Sequence, residues 1–373
     1  MKKFKLGCTL AAVLAIGGSL AALTSCGGEA KTYEYALITD VGDIDDEGFN
    51  QSSWEAMKAY AEKIGKSCTY YRPTEDSNDA RKVSMEQAVK KGAKVIVCPG
   101  YLFESPVYDL QDKYPDVKFI LLDGNPHSAD YSTYKTSDNV VGYTFQEEIS
   151  GFLAGYAAVK DGNRNLGFCG GMAVPAVQRF GSGYIQGIEA ASKELGVTTT
   201  CKYYYAGAFQ ATDEATSNMK SWYTAGIDTV FASGGKVYQS VTEGIKSGKA
   251  DATWIGVDVD QHSISDKVLT SAMKGLRETV TSTLELYEAG KWSDLGGKTP
   301  VLGLATVLGS LEARDYVGLP TDSAAWRFKS FKTSDLEAVI AGIKSKKYVV
   351  SNDVKKEPET SACTVTWVSK FAD

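Results

Sequence analysis

The sequence predicts an α/β protein with two lobes in series, each a mostly parallel sheet flanked by helices. Three observations carry that reading. The chain has 373 residues, enough for two domains at about 100 to 200 residues each. Short β-type runs alternate with stretches of helical periodicity, the pattern of βαβ units. The strands are also too numerous for one ordinary sheet, since about ten in a single parallel sheet is less usual than two sheets of four to six.

The chain opens with Lys2, Lys3 and Lys5, followed by an apolar run over residues 6–23. A charged segment before an apolar one is the order of an export signal. The run ends in Leu23-Thr24-Ser25-Cys26, which resembles the lipobox of bacterial lipoproteins. Residues 1–25 are read as a signal peptide, Cys26 as the acylated mature N-terminus, and residues 26–32 as a flexible, Gly-rich stalk. The competing reading is an uncleaved membrane anchor, because the run is near the lower limit of about 18 residues for a span; Gly17, Gly18 and Ser19 weaken it. Both readings tether the protein outside the cytoplasm, on the cell membrane.

The first lobe is read over residues 33–145. Tyr35-Ala36-Leu37-Ile38 is a buried strand, and residues 47–64 a helix with Trp54, Met57, Ala61 and Ile64 on its apolar face. Residues 94–98 and 118–122 are further strands, separated by a helix near 103–114. The second lobe is read over 146–261, opening with a helix near 144–160 and continuing with strands near 166–169, 202–205, 229–232 and 253–257. A helix over 275–289 places Leu276, Val280, Leu284 and Tyr287 on one face. Residues 262–300 are expected to complete the first lobe, and 301–373 the second.

Composition narrows the function. The chain holds 40 Lys and Arg against 46 Asp and Glu, or 37 against 46 without the three N-terminal lysines. An acidic surface repels polyanions, so no nucleic-acid polymer is expected as a partner. Seven cysteines include Cys8 and Cys26; the five that remain have no C-x-x-C spacing, which argues against zinc and a disulfide framework. Only His127 and His262 are present, which disfavours most metal sites and His-dependent nucleophilic catalysis. No cofactor or metal is expected. Gly181-Ser182-Gly183-Tyr184-Ile185-Gln186-Gly187 is one residue too long for a dinucleotide fingerprint and follows no strand. It reads as a helix packing face, as do Gly151 and Gly155.

Ligands in open α/β sheets bind beyond the carboxyl ends of the strands. The densest chemistry there is Asp40-Val41-Gly42-Asp43-Ile44-Asp45-Asp46-Glu47-Gly48-Phe49-Asn50-Gln51. Its carboxylates suggest Ca²⁺, but the spacing does not fit an EF-hand. The alternative is that Asp45 or Asp46 caps the next helix. Phe49 and Asn50 would then fall in its first turn and point toward the cleft. A second group, Gly256-Val257-Asp258-Val259-Asp260-Gln261, places a carboxylate at a strand end, where it can accept two hydrogen bonds from a vicinal diol.

These motifs, with Phe119-Ile120-Leu121-Leu122-Asp123-Gly124, Ala206-Gly207-Ala208-Phe209 and Thr270-Ser271-Ala272-Met273-Lys274, occur in an order that resembles the basic membrane protein family. Those lipoproteins are purine-nucleoside receptors and serve as substrate-binding components of ABC transporters. The resemblance spans residues 33 to about 352 and implies a type I periplasmic-binding fold with the ligand between the lobes and no catalysis. It implies that Phe49 and Phe209 sandwich the base, that Asn50 and Asp123 bond its edge, and that Asp258 and Lys274 hold the ribose beside the Gly234-Gly235 turn. It further implies permease and ATPase partners, a monomeric receptor, and guanosine, inosine or adenosine as ligand. Lys236-Val237-Tyr238 replaces a small, Gly-containing run and is expected to alter the ribose end or narrow the cleft. The rival from another class is a nucleoside or sugar hydrolase built on Asp43, Asp45 and Asp46; a third reading is a same-fold receptor for a sugar or signalling molecule.

Overall fold

The computed structural model describes residues 32–40 and 42–372; the signal segment, Cys26 and the stalk to residue 31 lie outside the described residues. The first sheet is built from β1 (Tyr35–Ile38), β2 (Cys68–Tyr71), β3 (Val95–Pro99), β4 (Lys118–Leu122), β5 (Val140–Phe145) and a late two-residue strand, β11 (Val301–Leu302). Its order is β11-β5-β4-β3-β1-β2, with every pair parallel. Tyr35, Ala36, Leu37 and Ile38 are all fully buried. An unbroken apolar run of this kind is what a strand covered on both faces requires. Helix α1 (Phe49–Ile64) and a later helix, α8 (Leu276–Glu288), lie on the side of Tyr35 and Leu37. On the opposite side, α2 (Asn78–Lys90) and α3 (Glu104–Gln111) cover Ala36 and Ile38.

The second sheet contains β6 (Asn165–Gly170), β7 (Thr199–Tyr205), β8 (Thr229–Ser233), β9 (Thr253–Asp258), β10 (Val268–Lys274), β12 (Val317–Gly318) and β13 (Cys363–Trp367). The order is β12-β10-β9-β8-β6-β7-β13, and only β12 runs antiparallel to its neighbour. Helices α4 (Glu147–Lys160) and α5 (Pro175–Leu195) cover the face carrying Phe168, Tyr203 and Phe231. The other face, with Cys169, Val230 and Trp254, packs on α6 (Asp213–Thr224) and α7 (Tyr238–Gly244).

Glycines set how closely α4 and α5 approach. A Cβ on Gly151 would lie 2.1 Å from Phe180 O, and one on Gly183 2.0 Å from Glu148 O. No side chain fits at either place, so both glycine-bearing segments are helix-packing surfaces. The crossing matters because it fixes the start of α4, with Glu147, beside Arg179 and Phe180 of α5.

The path between the sheets differs from expectation in two places: residues 262–274, expected in the first lobe, and Val301–Leu302, expected in the second. Residues 262–274 stay with the second sheet, where β10 pairs with β9. Only after Gly275 does the chain return to the first lobe, through α8 and then β11. Strand β10 was concealed by its composition: Thr270 and Ser271 are buried polar residues within it. The final segment adds α9 (Thr333–Lys344) and β13, which lies against β7. In α1 the buried face runs through Ser53, Met57, Tyr60 and Ala61. Trp54, half-buried, packs against that core from its rim and meets Tyr70 of β2 edge-on at 5.3 Å.

Cys98, Cys169, Cys201 and Cys363 are buried free thiols, and Cys68 is half-buried and also free. No helix of the described residues is long and apolar enough to cross a membrane.

Candidate functional site

A cavity of about 420 Å³ lies where the carboxyl ends of the two sheets face each other, within the range for small-molecule sites. All eight residues singled out from the sequence line it: Phe49, Asn50, Asp123, Phe209, Gly234, Gly235, Asp258 and Lys274. So do Asp40, Tyr101, Glu104, Asn125, Arg179 and Ser233, which sequence reasoning did not select.

The first-lobe wall is organised around Asn50, only 2% exposed. Its Nδ2 donates to Asp40 Oδ1 and Asp46 Oδ2, each at 2.8 Å, and its Oδ1 accepts the backbone N–H of Asp40 at 3.1 Å. An amide has two N–H donors, and both are taken. For the base edge that the resemblance assigns to it, Asn50 has only a carbonyl lone pair to spare. Asp46 is the helix cap, accepting N–H groups of Gly48, Asn50 and Gln51 at 2.9 to 3.0 Å. Burial pushes the Asp40 carboxyl up to about 6, against the hydrogen bonds from Gly42 and Asn50 that favour its charged form.

The two walls meet at Lys274, at the end of β10. Its ammonium pairs with Asp123 of the first lobe and lies 3.2 Å from Asp258 Oδ1 and 3.9 Å from Glu147 Oε1 in the second. It also sits over the Phe49 ring, 4.6 Å from the centroid. Burial disfavours the charge, but Asp123, Asp258 and Glu147 outweigh it and hold Lys274 protonated. Asp123, just past β4, and Asp258, the last residue of β9, have positive φ, 60° and 67°. Few non-glycine residues adopt that conformation, and here it turns both carboxylates off the sheet ends into the cavity. Burial pushes the Asp258 carboxyl up, with Lys274 opposing. Behind them Arg179 Nε donates to the fully buried Glu147 Oε2 at 2.6 Å.

Phe209 is seated on glycine. A Cβ on Gly171 would come within 2.6 Å of its ring, and one on Gly235 within 2.6 Å of its carbonyl oxygen. Gly234 and Gly235 have φ of 126° and 52°, which glycine adopts at little cost. The Tyr101 ring meets Phe209 across the cleft at 6.3 Å, near edge-on. Lys236 also reaches over the cleft and lies 3.6 Å from Asp45 Oδ1. Gln261 Nε2 donates to the Glu47 carbonyl at 2.9 Å, a second bond between the lobes.

A sequence model described as "ABC transporter substrate-binding protein PnrA-like" matches residues 34–323. The chain belongs to the Bmp family. Among the relatives of this Bmp protein is the "ABC transporter nucleoside-binding protein BmpA" of Lactococcus lactis subsp. cremoris, 28% identical over 71% of this chain and 78% of that one. Another is "Basic membrane protein A1" of Borrelia garinii, 27% identical over 75% and 82%. The fold is that of an ABC transporter solute-binding protein from Aeropyrum pernix K1, with a TM-score of 0.69 at 20% identity, covering 86% of this chain and 94% of that one. A second, from Conexibacter woesei, has a TM-score of 0.65 at 20% identity, covering 85% and 98%. As a member of the Bmp family the protein is an ABC transporter substrate-binding protein.

The Bmp protein's acidic cluster does not gather into one centre. Asp43 Oδ2 pairs with Arg72 at 2.8 Å, Asp45 is 80% exposed, and Asp46 is spent on the helix. Among the described residues no three His, Cys, Asp or Glu side chains form a group able to hold a metal ion. Sequence signals for the missed residues were weak. Ser233 and Asn125 stand in segments that follow strands, whereas Arg179 stands on a helix, with its partner Glu147 on another.

Proposed function

We propose that this protein is a lipid-anchored, extracytoplasmic receptor that captures a purine nucleoside in the interlobe cavity and delivers it to the permease and ATPase subunits of an ABC transporter. The observation that carries the reading is an aromatic cavity with a charged seam: Phe49 and Phe209 line it from opposite lobes, and Lys274 joins Asp123 to Asp258. Phe49 and Phe209 take the faces of the base, each stack worth ~1 to 3 kcal/mol by analogy with single-stranded nucleic-acid sites. Asp123 accepts from an N–H of the base edge, and Asn50 holds the loop rather than reading the base. Asp258 accepts from ribose hydroxyls, Lys274 donates to a sugar oxygen, and the Gly234-Gly235 turn lends backbone. The nucleoside-binding name of the Lactococcus relative supports this assignment. Acylation at Cys26 supplies the anchor.

Closure needs a ligand that binds the closed form better than the open one. A ligand touching Phe49 on one wall and Phe209 on the other meets that condition. The test is calorimetric titration of the full-length protein in detergent, stripped of ligand by unfolding and refolding, with guanosine, inosine, adenosine, uridine, ribose and galactose. One-to-one binding of purine nucleosides, with little response to either sugar, is expected. A folded, stripped protein that binds galactose or ribose and no nucleoside would overturn the proposal.

A further inference from the structure

Resting on the nucleoside reading, we propose that Asn125 together with Asp123 selects a base carrying an exocyclic 2-amino group, so that the site prefers a guanine nucleoside to its 2-unsubstituted counterpart. The starting point is a pair of unpartnered acceptors. Oδ1 of Asp123 and Oδ1 of Asn125 are both buried without a hydrogen-bond partner, and both residues line the cavity. They stand two positions apart on the turn that ends β4.

The neighbouring polar atoms are already engaged. Asp123 Oδ2 is paired with Lys274. Glu104 Oε1 accepts the backbone N–H of Asn125 at 2.8 Å, and Glu104 Oε2 lies 3.1 Å from His127 Nε2. Glu104 and His127 thus hold the turn from behind, and neither supplies a donor to the two acceptors. Burial without a partner is costly for a polar atom. A site of this kind discriminates strongly against an analogue that lacks the matching donor.

Two acceptors on one turn call for two donors on one rigid edge. Guanine presents N1–H and its 2-amino group side by side. Hypoxanthine keeps N1–H but has only C–H at position 2, which would leave Asn125 Oδ1 unpaired. Adenine sets its amino group next to a ring nitrogen that accepts, so one of the two acceptors would face another acceptor. The cavity lining reinforces the bias, with Asp40, Asp46, Glu104, Asp123 and Asp258 against Arg179, Lys236 and Lys274.

The experiment compares guanosine with inosine, which differ only in the 2-amino group, by calorimetry on the full-length, ligand-stripped protein and its Asn125→Ala variant. One lost hydrogen bond to a buried acceptor corresponds to about a tenfold difference. Guanosine is therefore expected to bind the wild type about tenfold more tightly than inosine, and Asn125→Ala to erase most of that ratio. Far-UV circular dichroism and thermal melting report whether the variant is folded. If the variant does not fold, N2,N2-dimethylguanosine and the wild-type protein put the same question, and binding as tight as guanosine overturns the proposal. Equal guanosine and inosine affinity in the wild type, or an unaltered ratio in Asn125→Ala, overturns this inference alone. A folded wild type that binds no purine nucleoside overturns the receptor reading and this inference with it.

Discussion

The two walls of the cleft are built by opposite means. The first-lobe wall, with Asp40, Asp46, Glu104 and Asp123, is rich in acceptors; Asp40 and Asp46 are fixed by short-range bonds within their own loop, and Glu104 by the backbone N–H of Asn125. The second-lobe wall brings the cations Arg179, Lys236 and Lys274, each held by a charge distant in sequence. Asp40, Asp46 and Glu104 are therefore organised within their own lobe, whereas Lys236 meets Asp45, and Lys274 meets Asp123, only where the lobes come together; within its own lobe Lys274 already has Asp258. On the proposed reading, capture and closure are divided between the walls: one presents a fixed pattern to the ligand, and the other supplies attraction across the gap.

The harshest way to break this division is Lys274→Met, which keeps the side-chain length and removes the charge. Asp123 and Asp258 would remain buried without their counter-ion, and breaking a buried pair on one side costs about 3 to 5 kcal/mol. In the variant the buried Asp258 carboxyl loses the charge that opposes its upward shift and should sit further above its unfolded value. Stability is then retained at pH below the ordinary carboxylate range and lost as pH rises through the folded value. Urea unfolding at pH 4 and pH 8 should show a deficit that is larger at pH 8. A deficit independent of pH would mean that Lys274 serves packing, not charge.

Phe49→Ala and Phe209→Ala come next. Each removes a ring from one wall and should weaken guanosine, inosine and adenosine alike by roughly 10- to 100-fold, the range expected for a lost stack. The two should differ in stability. Phe209 is seated against Gly171 and Gly235, so its removal empties a tailored space, whereas the Phe49 ring lies beside the Lys274 ammonium. Selective loss of one nucleoside in either variant would argue against stacking as the ring's role.

How much of this was legible in the sequence follows the same divide. Strands β1, β3 and β4 announce themselves because burial on both faces demands unbroken apolar runs. Strand β10 does not, since Thr270 and Ser271 are buried in it and Ser271 Oγ accepts the Gln261 N–H. Strand β2 is a half-exposed edge with no apolar run. In the site, Phe49, Asp123, Phe209, Asp258 and Lys274 came from the order of motifs along the chain. The meaning of Asn50 did not, because its donors are consumed by Asp40 and Asp46, ten and four residues away, once the loop folds around it. Arg179 was hidden for a related reason: its partner Glu147 is 32 positions distant, and only the glycine-mediated crossing of α4 and α5 brings them together.

Asp40→Asn sharpens the first-lobe side. Burial raises the Asp40 carboxyl from 3.8 to about 6. A carboxyl raised in the folded state costs nothing below its unfolded value, and the cost grows as pH rises through the folded value. Between about pH 4 and pH 6 the wild type should therefore lose stability relative to Asp40→Asn, whose amide oxygen can still accept from Gly42 and Asn50. Parallel pH profiles for the two proteins in denaturant unfolding would show that Asp40 carries no such penalty.

The smallest effect tests the rim. Asp45→Ala removes the partner of Lys236, but Asp45 is 80% exposed and 3.6 Å away, and exposed pairs are typically worth ~0 to 1 kcal/mol. Folding stability should hardly change. If the pair acts across the gap, its trace belongs in ligand association rather than in the folded state, because a rim charge alters on-rate and salt dependence more than dissociation. Stopped-flow binding at low ionic strength should show a modest difference between wild type and Asp45→Ala that vanishes as salt shortens the Debye length to about 3 Å at 1 M. A difference that survives high salt would place Asp45 in the recognition surface itself, and the division between a reading wall and a closing wall would have to be redrawn.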